Sequence, residues 1–292
     1  MDLSFRIDRR LPSGALVKAF DSEAFRELLE GWRSGSLADS GRLWIELDLP
    51  VGSALGESPS GGLPLPIVCI ERTPGGVELS EVLGILRRRE LSRSQSRTID
   101  EWSRRMPRGA RVLYAFGLWS RPGAPVRVEW VGLPMADAAG VLRPLVPPSV
   151  MAAVERGGGL MAGVERPHVS FDLVFGSDSG VEVLPRVGLE GSFRSPPEKD
   201  PRWRSLLERW TRAGLCSAAK AEAFLQASGV DTYWTARGDW PADEVGLAGH
   251  AVRRLSHCKL VARPNGQLEA KAYLLFQFVE GKDAALPASI ES

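Results

Sequence analysis

The fold class is decided by residues 255–278, LSHCKLVARPNGQLEAKAYLLFQF. Two segments rich in apolar residues, 255–262 and 268–278, flank the turn sequence Arg263-Pro264-Asn265-Gly266. Proline, asparagine and glycine between two such segments are typical of a tight turn, so the stretch predicts a β-hairpin. An antiparallel sheet is therefore expected at the C-terminal end of the chain.

The register of this hairpin decides whether its polar side chains meet. A two-residue turn would pair Lys259 with Ala272, whereas a three-residue loop would pair His257 with Tyr273 and Lys259 with Lys271. In the second case, these four polar residues form a cationic patch able to hold a carboxylate, phosphate or diphosphate. The alternative is a solvated outer face. The opposite, apolar face of the second strand is expected to hold Ala270, Ala272, Leu274, Phe276 and Phe278.

A similar order of elements occurs earlier in the chain. Strands are predicted at 42–48, 67–70, 111–119 and 126–131, and later at 168–175 and 181–193. The turn Arg121-Pro122-Gly123 matches Arg263-Pro264-Asn265. We therefore expect an α+β fold, a mostly antiparallel sheet with helices packed on one side. Two related halves are expected at 1–156 and 167–292, joined by a glycine-rich linker at 157–166, although the order could also arise by chance.

Helices are predicted between these strands. One begins at Asp21, and a long arginine-rich helix spans residues 79–106. Its basic face could attract an acidic peptide or simply be solvated. A helix over 201–213 follows the N-cap candidate Asp200, and Ser217 can cap another. Residues 50–66, rich in Gly, Pro and Ser, are expected to form a loop.

Composition excludes several classes of function. The 292 residues carry 37 Lys and Arg against 36 Asp and Glu, which argues against a general nucleic-acid binder. No apolar run reaches the ~18 residues that span a bilayer. The first residues do not read as a secretory signal, and three distant cysteines do not suggest a disulfide framework. A cytoplasmic protein without nucleic-acid or membrane partners is expected.

Motifs of catalysis and metal binding are scarce. The sequence holds three histidines and lacks a phosphate-binding glycine loop, a Gly-x-Ser-x-Gly elbow and zinc-ligand spacing. His168, Ser170 and Asp172 share one face of a strand, but Ser170 stands where an iron site would place its carboxylate. The polar face of a half-buried strand is the favoured interpretation. The sequence thus predicts no catalytic residue, no metal and no cofactor, and favours binding over catalysis.

Nine tryptophans are a high count for this length. Tryptophan has a large apolar face and one donor, so it suits clefts that hold extended ligands, although core or rim positions are the favoured explanation of the count. The predicted binding residues are Lys259, Lys271, Tyr273, His257, Trp119, Trp130, Trp234 and Trp240.

The C-terminal third resembles a known group of proteins. The residues concerned are Gly188-Leu189-Glu190, Trp203 with Leu206-Leu207, Gly214-Leu215-Cys216 with Lys220, Leu255-Ser256-His257-Cys258-Lys259 and Ala270-Lys271-Ala272-Tyr273-Leu274. Together they resemble the peptide-binding proteins of crocagin biosynthesis, a pathway of ribosomally made peptides. The resemblance covers about 120 residues. It implies a protein that binds a precursor peptide, acts with other proteins of its pathway, and assists conversion of the peptide to a pyrroloindoline-type product. A homodimer is left open.

Two other functions remain as alternatives. Lys271-Ala272-Tyr273 is similar to the Lys-x-Tyr elements with which aromatic prenyltransferases of the antiparallel-barrel type hold a prenyl diphosphate. Those enzymes repeat the element several times, whereas one clear copy occurs here. The third alternative is a structural or interaction protein without a small ligand.

Overall fold

The computed structural model describes residues 2–7, 22–34, 37, 42–48, 66–73, 75–176, 180–234 and 248–280. These residues form seven helices and ten strands. The helices are α1 (Glu23–Ser34), α2 (Leu79–Arg87), α3 (Arg93–Arg104), α4 (Met135–Leu142), α5 (Pro148–Leu160), α6 (Arg202–Arg212) and α7 (Ala218–Gln226). The strands are β1 (Asp2–Ile7), β2 (Leu43–Asp48), β3 (Ile67–Glu71), β4 (Arg111–Leu118), β5 (Val126–Val131), β6 (Arg166–Phe175), β7 (Val181–Ser192), β8 (Gly229–Trp234), β9 (Ala248–Ala262) and β10 (Leu268–Glu280).

The strands form one antiparallel sheet, which curls into a half-barrel. Its order is β1-β2-β3-β4-β5-β6-β7-β9-β10, and β8 pairs with β9 beside this path. The predicted α+β class with an antiparallel sheet is confirmed. A pair of strands, two helices and a second pair of strands occur in order in both predicted halves, as β2-β3-α2-α3-β4-β5 and as β6-β7-α6-α7-β9-β10, with β8 before β9. The first half also contains β1, α1 and α4, and α5 crosses its predicted end. Two related halves therefore stay a prediction.

The boundary predicted between the halves lies inside this continuous sheet. Strands β5 and β6 pair directly, with Trp130 opposite Val169. The glycines at 157–159 belong to α5 rather than to an irregular linker. A Cβ added at Gly157 would lie 2.8 Å from Leu189 Cδ1, so the absence of a side chain lets α5 approach the sheet closely. Gly157 therefore serves helix–sheet packing.

The apolar core lies between one face of the sheet and the helices. Alternate residues of the central strands are buried on this face, among them Val128, Phe171, Leu189 and Leu260. Burial of such side chains contributes about 1.5–3 kcal/mol each. The opposite face of the same strands carries charged and polar residues, and we call it the polar face.

The arginine-rich segment is two helices, not the single helix predicted over 79–106. Arg88, which follows α2, has a φ of 62°, a left-handed conformation that ends the helix. Ser92 then caps α3 in a capping box with Gln95, in which each side chain accepts a hydrogen bond from the other residue's backbone N–H. The Ser-x-x-Gln pattern was the signal for this second start.

The C-terminal hairpin has the three-residue loop, and the second of the two registers is confirmed. Arg263 N–H donates to Gln267 O at 2.9 Å, and Gly266 has a φ of 77°, which glycine adopts without strain. Tyr273 accordingly pairs with His257, and Lys271 pairs with Lys259.

A β-bulge follows this pairing. The register shifts between Tyr273 and Leu274: Leu274 pairs with Leu255, and Ser256 is left without a partner on β10. Leu274, which was predicted on the apolar face of this strand together with Ala270 and Ala272, has an exposed fraction of 38%.

Several element boundaries differ from the predictions. The sequence did not predict β1, β8 or α4, and β9 begins at Ala248, ahead of the predicted start at 255. The helix expected from Asp21 begins at Glu23, and Phe25 N–H donates to Ser22 Oγ in front of it. Within the described ranges, each helix is too short or too polar to cross a bilayer.

Candidate functional site

The polar face carries five side chains that are almost inaccessible to solvent although they are polar or charged. They come from four neighbouring strands, β5, β6, β7 and β9, and are Glu129, Ser170, Asp172, Glu190 and Lys259, each 2–7% exposed. Burial of a charge is costly unless it is paired and hydrogen-bonded. The partners of these groups therefore define how the site is built.

Lys259 and Glu190 form the centre of the polar face. They are directly opposite on β9 and β7, and Lys259 Nζ donates to Glu190 Oε1 and, at 3.2 Å, to Ser170 Oγ. Ser170 Oγ in turn donates to Glu190 Oε1 at 3.0 Å. A Cβ added at Gly188 would lie 2.4 Å from Ser170 Oγ and 2.6 Å from Lys259 Cε. Glycine at this position thus gives the lysine stem room to cross β7.

His168 and Glu129 form a carboxylate–imidazole pair on the adjoining strands. His168 Nδ1 is hydrogen-bonded to Glu129 Oε1, and the His168 side chain is 28% exposed. Burial alone would lower the pKa of His168, but the hydrogen bond and charge of Glu129 raise it. Burial and the charge of Glu190 raise the pKa of Glu129 as well, so the pair retains a proton readily.

A second ion pair lies further along β5 and β6. Arg127 holds Asp172 with two hydrogen bonds, Nε to Oδ1 at 2.6 Å and Nη2 to Oδ2 at 3.2 Å. Burial alone would raise the pKa of Asp172, but the charge and hydrogen bonds of Arg127 lower it. Arg186 Nη1 lies 3.9 Å from Asp172 Oδ2.

The half-exposed part of the site lies on β9 and β10. The rings of His257 and Tyr273 are stacked, with their centroids 4.3 Å apart and an interplanar angle of 14°. The side chain of Lys271 is 31% exposed, and its Nζ lies 4.0 Å from Glu269 Oε1. The structure therefore brings the four predicted residues of the hairpin onto one face, although Lys259 is buried while the other three are accessible.

The stacked histidine is held neutral. Although 35% of the His257 side chain is exposed, desolvation of its ring among the strands lowers the pKa of His257 to about 4, against the attraction of Glu190, whose Oε2 lies 3.6 Å from Nε2. Burial would raise the pKa of Glu190, but Lys259 and His257 lower it to about 2. The face thus contains an ionised carboxylate beside a neutral imidazole at neutral pH.

A pH dependence of stability follows from His257. The unfolded chain binds a proton at His257 near its ordinary pKa of 6.5, whereas the folded chain does so only near 4, so the free energy of unfolding falls as the pH is lowered between these values. We expect His257→Gln to lose less stability than the wild type over this interval, measured by urea denaturation at several pH values. Parallel pH profiles of the two proteins would contradict the assigned shift.

The predicted tryptophans are not gathered at this site. Trp119 and Trp130 are 8% and 2% exposed and pack in the core, where Trp119 Nε1 donates to Leu86 O at 2.7 Å. Trp234 lies in β8, but its side chain is outside the described residues, as is the whole of Trp240. The polar face as described is therefore built from charged and polar groups rather than from tryptophan.

Sequence reasoning missed the partners of Lys259. His168, Ser170 and Asp172 were placed together on a polar strand face, which agrees with the structure, but Arg127, Glu129 and Glu190 were not recognised as part of a site. Alternation of Val126, Val128 and Trp130 with polar residues on β5 was the available signal. Among the described residues, no group of three or more His, Cys, Asp or Glu side chains is arranged to hold a metal ion.

The chemistry available on this face is that of ion pairs, hydrogen bonds and one stacked ring pair. It can bind a polar chain, and the pair of His168 and Glu129 can hold a proton. Comparison of the chain with protein-family profiles, with curated proteins and with solved structures gives no significant match.

Proposed function

We propose that this protein binds an extended peptide along β10 and across the neighbouring polar face, and that it assists modification of a ribosomally made precursor peptide in the cytoplasm together with other proteins of the pathway. The single observation that carries the proposal is the half-exposed group formed by His257, Lys271 and Tyr273 at one end of the described sheet. The sequence resemblance to the crocagin proteins supplies the class of peptide.

The position of β10 supports a peptide as the ligand. β10 ends the strand order and, among the described strands, pairs only with β9. An extended peptide can add to such an edge, where main-chain hydrogen bonds give affinity and alternate side chains give specificity. Lys271 and Tyr273 are two residues apart on one face, which is the spacing of successive contacts along an added strand.

The charge balance favours a peptide over a prenyl diphosphate. Lys259 is paired with Glu190, Arg127 is paired with Asp172, and Lys271 lies 4.0 Å from Glu269. A diphosphate needs a surplus of cations, whereas here each of these cations faces a carboxylate. A polar chain that carries few charges of its own matches this balance better.

Binding of the precursor peptide tests the proposal. Isothermal titration calorimetry with the peptide encoded by a short reading frame beside this gene should show binding without metal or cofactor. We expect the double variant Lys271→Ala/Tyr273→Ala to weaken this binding by more than about threefold, because it removes two side chains of the accessible face. Lys220→Ala, which changes an exposed lysine of α7, should leave the affinity unchanged.

Three outcomes would contradict the proposal. If the gene neighbourhood contains no short reading frame, there is no precursor peptide for this protein to bind. If the wild type and the double variant bind the peptide with equal affinity, this face is not the binding surface. Release of diphosphate from a prenyl donor, given an aromatic acceptor, would favour the prenyltransferase instead.

A further inference from the structure

A small cavity opens on the polar face between β5, β6, β7 and β9. It has a volume of about 10 Å³ and is lined by Arg127, Arg186 and Lys259 together with Ser170, Asp172 and Gly188. This volume is about what one water molecule needs. Any group that enters it meets three cationic side chains at once.

Among the residues that line the cavity, Arg186 has N–H donors that are available for hydrogen bonds to a ligand. Its guanidinium has five N–H donors, yet its contact within the described part of the chain is the 3.9 Å ion pair with Asp172, which exceeds hydrogen-bond distance. Asp172 already accepts two hydrogen bonds from Arg127. The side chain is 25% exposed, so a ligand that enters from solvent can reach these donors.

The net charge of the residues that line the cavity favours an anionic ligand. Asp172 neutralises Arg127 and Glu190 neutralises Lys259, so Arg186 leaves about one positive charge in excess. The glycine at 188 keeps the cavity open, because a Cβ there would lie 2.4 Å from Ser170 Oγ. A monoanion with a small planar head fits this charge and size better than a tetrahedral dianion such as phosphate.

We propose that Arg186 and this cavity bind a carboxylate group of the peptide. One carboxylate oxygen occupies the cavity, whose volume of about 10 Å³ suits a single oxygen atom, and the Arg186 guanidinium donates to the group as an arginine–carboxylate pair. This inference rests on the proposed function and deepens it, since it names a chemical group that the peptide carries. Because Lys259 lines the cavity and pairs with Lys271 of β10, the carboxylate lies two strands from the edge where the peptide would add.

Acetate is the probe for the site itself. In a titration followed by ¹⁵N–¹H spectra of the labelled protein, acetate should shift the amides of β7 and β9 around Arg186, Gly188 and Lys259. Arg186→Gln should weaken acetate binding at least about tenfold, because it removes a charged hydrogen-bond partner. Arg186→Lys, which keeps the charge but not the two-pronged geometry, should give an intermediate affinity.

The control is Arg143→Gln, which removes an exposed arginine that pairs with Glu155 on a distant helix, and it should not change the acetate affinity. Equal affinity of wild type and Arg186→Gln, with well-dispersed spectra of both, would overturn the proposal. Acetate shifts confined to residues outside β7 and β9 would overturn it as well.

Peptide variants identify the source of the carboxylate. A C-terminal amide should weaken binding if the α-carboxylate enters the cavity, whereas Asp→Asn or Glu→Gln changes should do so if a side chain enters. If neither change matters, the cavity does not bind the peptide and this inference fails while the proposed function stands. If acetate binds in an Arg186-dependent way but the precursor peptide does not bind at all, the proposed function fails instead.

Discussion

Lys259→Met is expected to lower the free energy of unfolding by about 3–5 kcal/mol, because it leaves the Glu190 carboxylate buried without its cationic partner. Glu190 is 7% exposed, and its low pKa depends mainly on Lys259. Methionine has a similar length and no charge, so the loss reports the broken pair rather than lost volume. Urea denaturation at neutral pH measures the effect.

Two comparisons make this prediction specific. Lys271→Met changes the lysine directly opposite on β10, whose side chain is 31% exposed, and it should cost no more than about 1 kcal/mol. The double variant Lys259→Met/Glu190→Gln should recover part of the stability, because no unpaired charge remains. Similar losses for Lys259→Met and Lys271→Met would show that the polar face is solvated.

Trp130→Ala is expected to cost about 3–5 kcal/mol, the usual loss for a buried tryptophan. Trp130 is 2% exposed and packs edge-on against Phe171 of β6, with ring centroids 4.6 Å apart. It thus joins the last strand of the first predicted half to the first strand of the second half. Because one sheet and one core include both halves, the variant should lower the midpoint of a single unfolding transition.

A partly buried tryptophan serves as the control for Trp130. Trp102 of α3 packs at the margin of the core, so Trp102→Ala should cost clearly less. Two separate unfolding transitions, only one of which moves in Trp130→Ala, would show that the predicted halves 1–156 and 167–292 fold independently.

The hairpin at 255–278 shows how far the sequence could predict the site. Alternation placed His257 with Lys259 and Lys271 with Tyr273, but two registers were open, since one residue of loop length decides the pairing. The conformation of Gly266 and the pairing of Arg263 with Gln267 decide for the three-residue loop. The register depends on how the hairpin packs against the rest of the sheet, and the sequence of the hairpin alone does not reveal that packing.

Local sequence patterns could not predict which charged residues of distant strands form ion pairs. Lys259 contacts Glu190, which is 69 residues away in the chain, and His168 contacts Glu129, which is 39 residues away. Alternation indicates which residues face one side of each strand, but the neighbour order of the strands brings these charges together. The sequence could therefore predict a polar face without predicting its ion pairs.

The break between α2 and α3 was within reach of the sequence. Apolar periodicity alone continued across Arg88, whereas the capping residues Ser92 and Gln95 marked a new start. The glycine run at 157–159 was interpreted as part of a linker, whereas it lies in α5. Gly157 there serves close packing against Leu189 and not flexibility.

The buried charges of the polar face cost stability that an apolar face would not. The proposed function gives Arg127, Asp172, Glu190 and Lys259 a role that offsets this cost. In that proposal, they hold the accessible group on β9 and β10, and the small cavity beside Arg186, in a fixed arrangement to which a peptide binds.

Hydrogen–deuterium exchange with and without the precursor peptide tests the binding surface most directly. We expect the peptide to slow amide exchange in β10 from Leu268 to Leu275 and around His257 in β9, and we expect Lys271→Ala/Tyr273→Ala to reduce this protection. Unchanged exchange along β10 at saturating peptide, or protection confined to helices α1 to α7, would contradict the claim that the polar face and its edge strand bind the peptide.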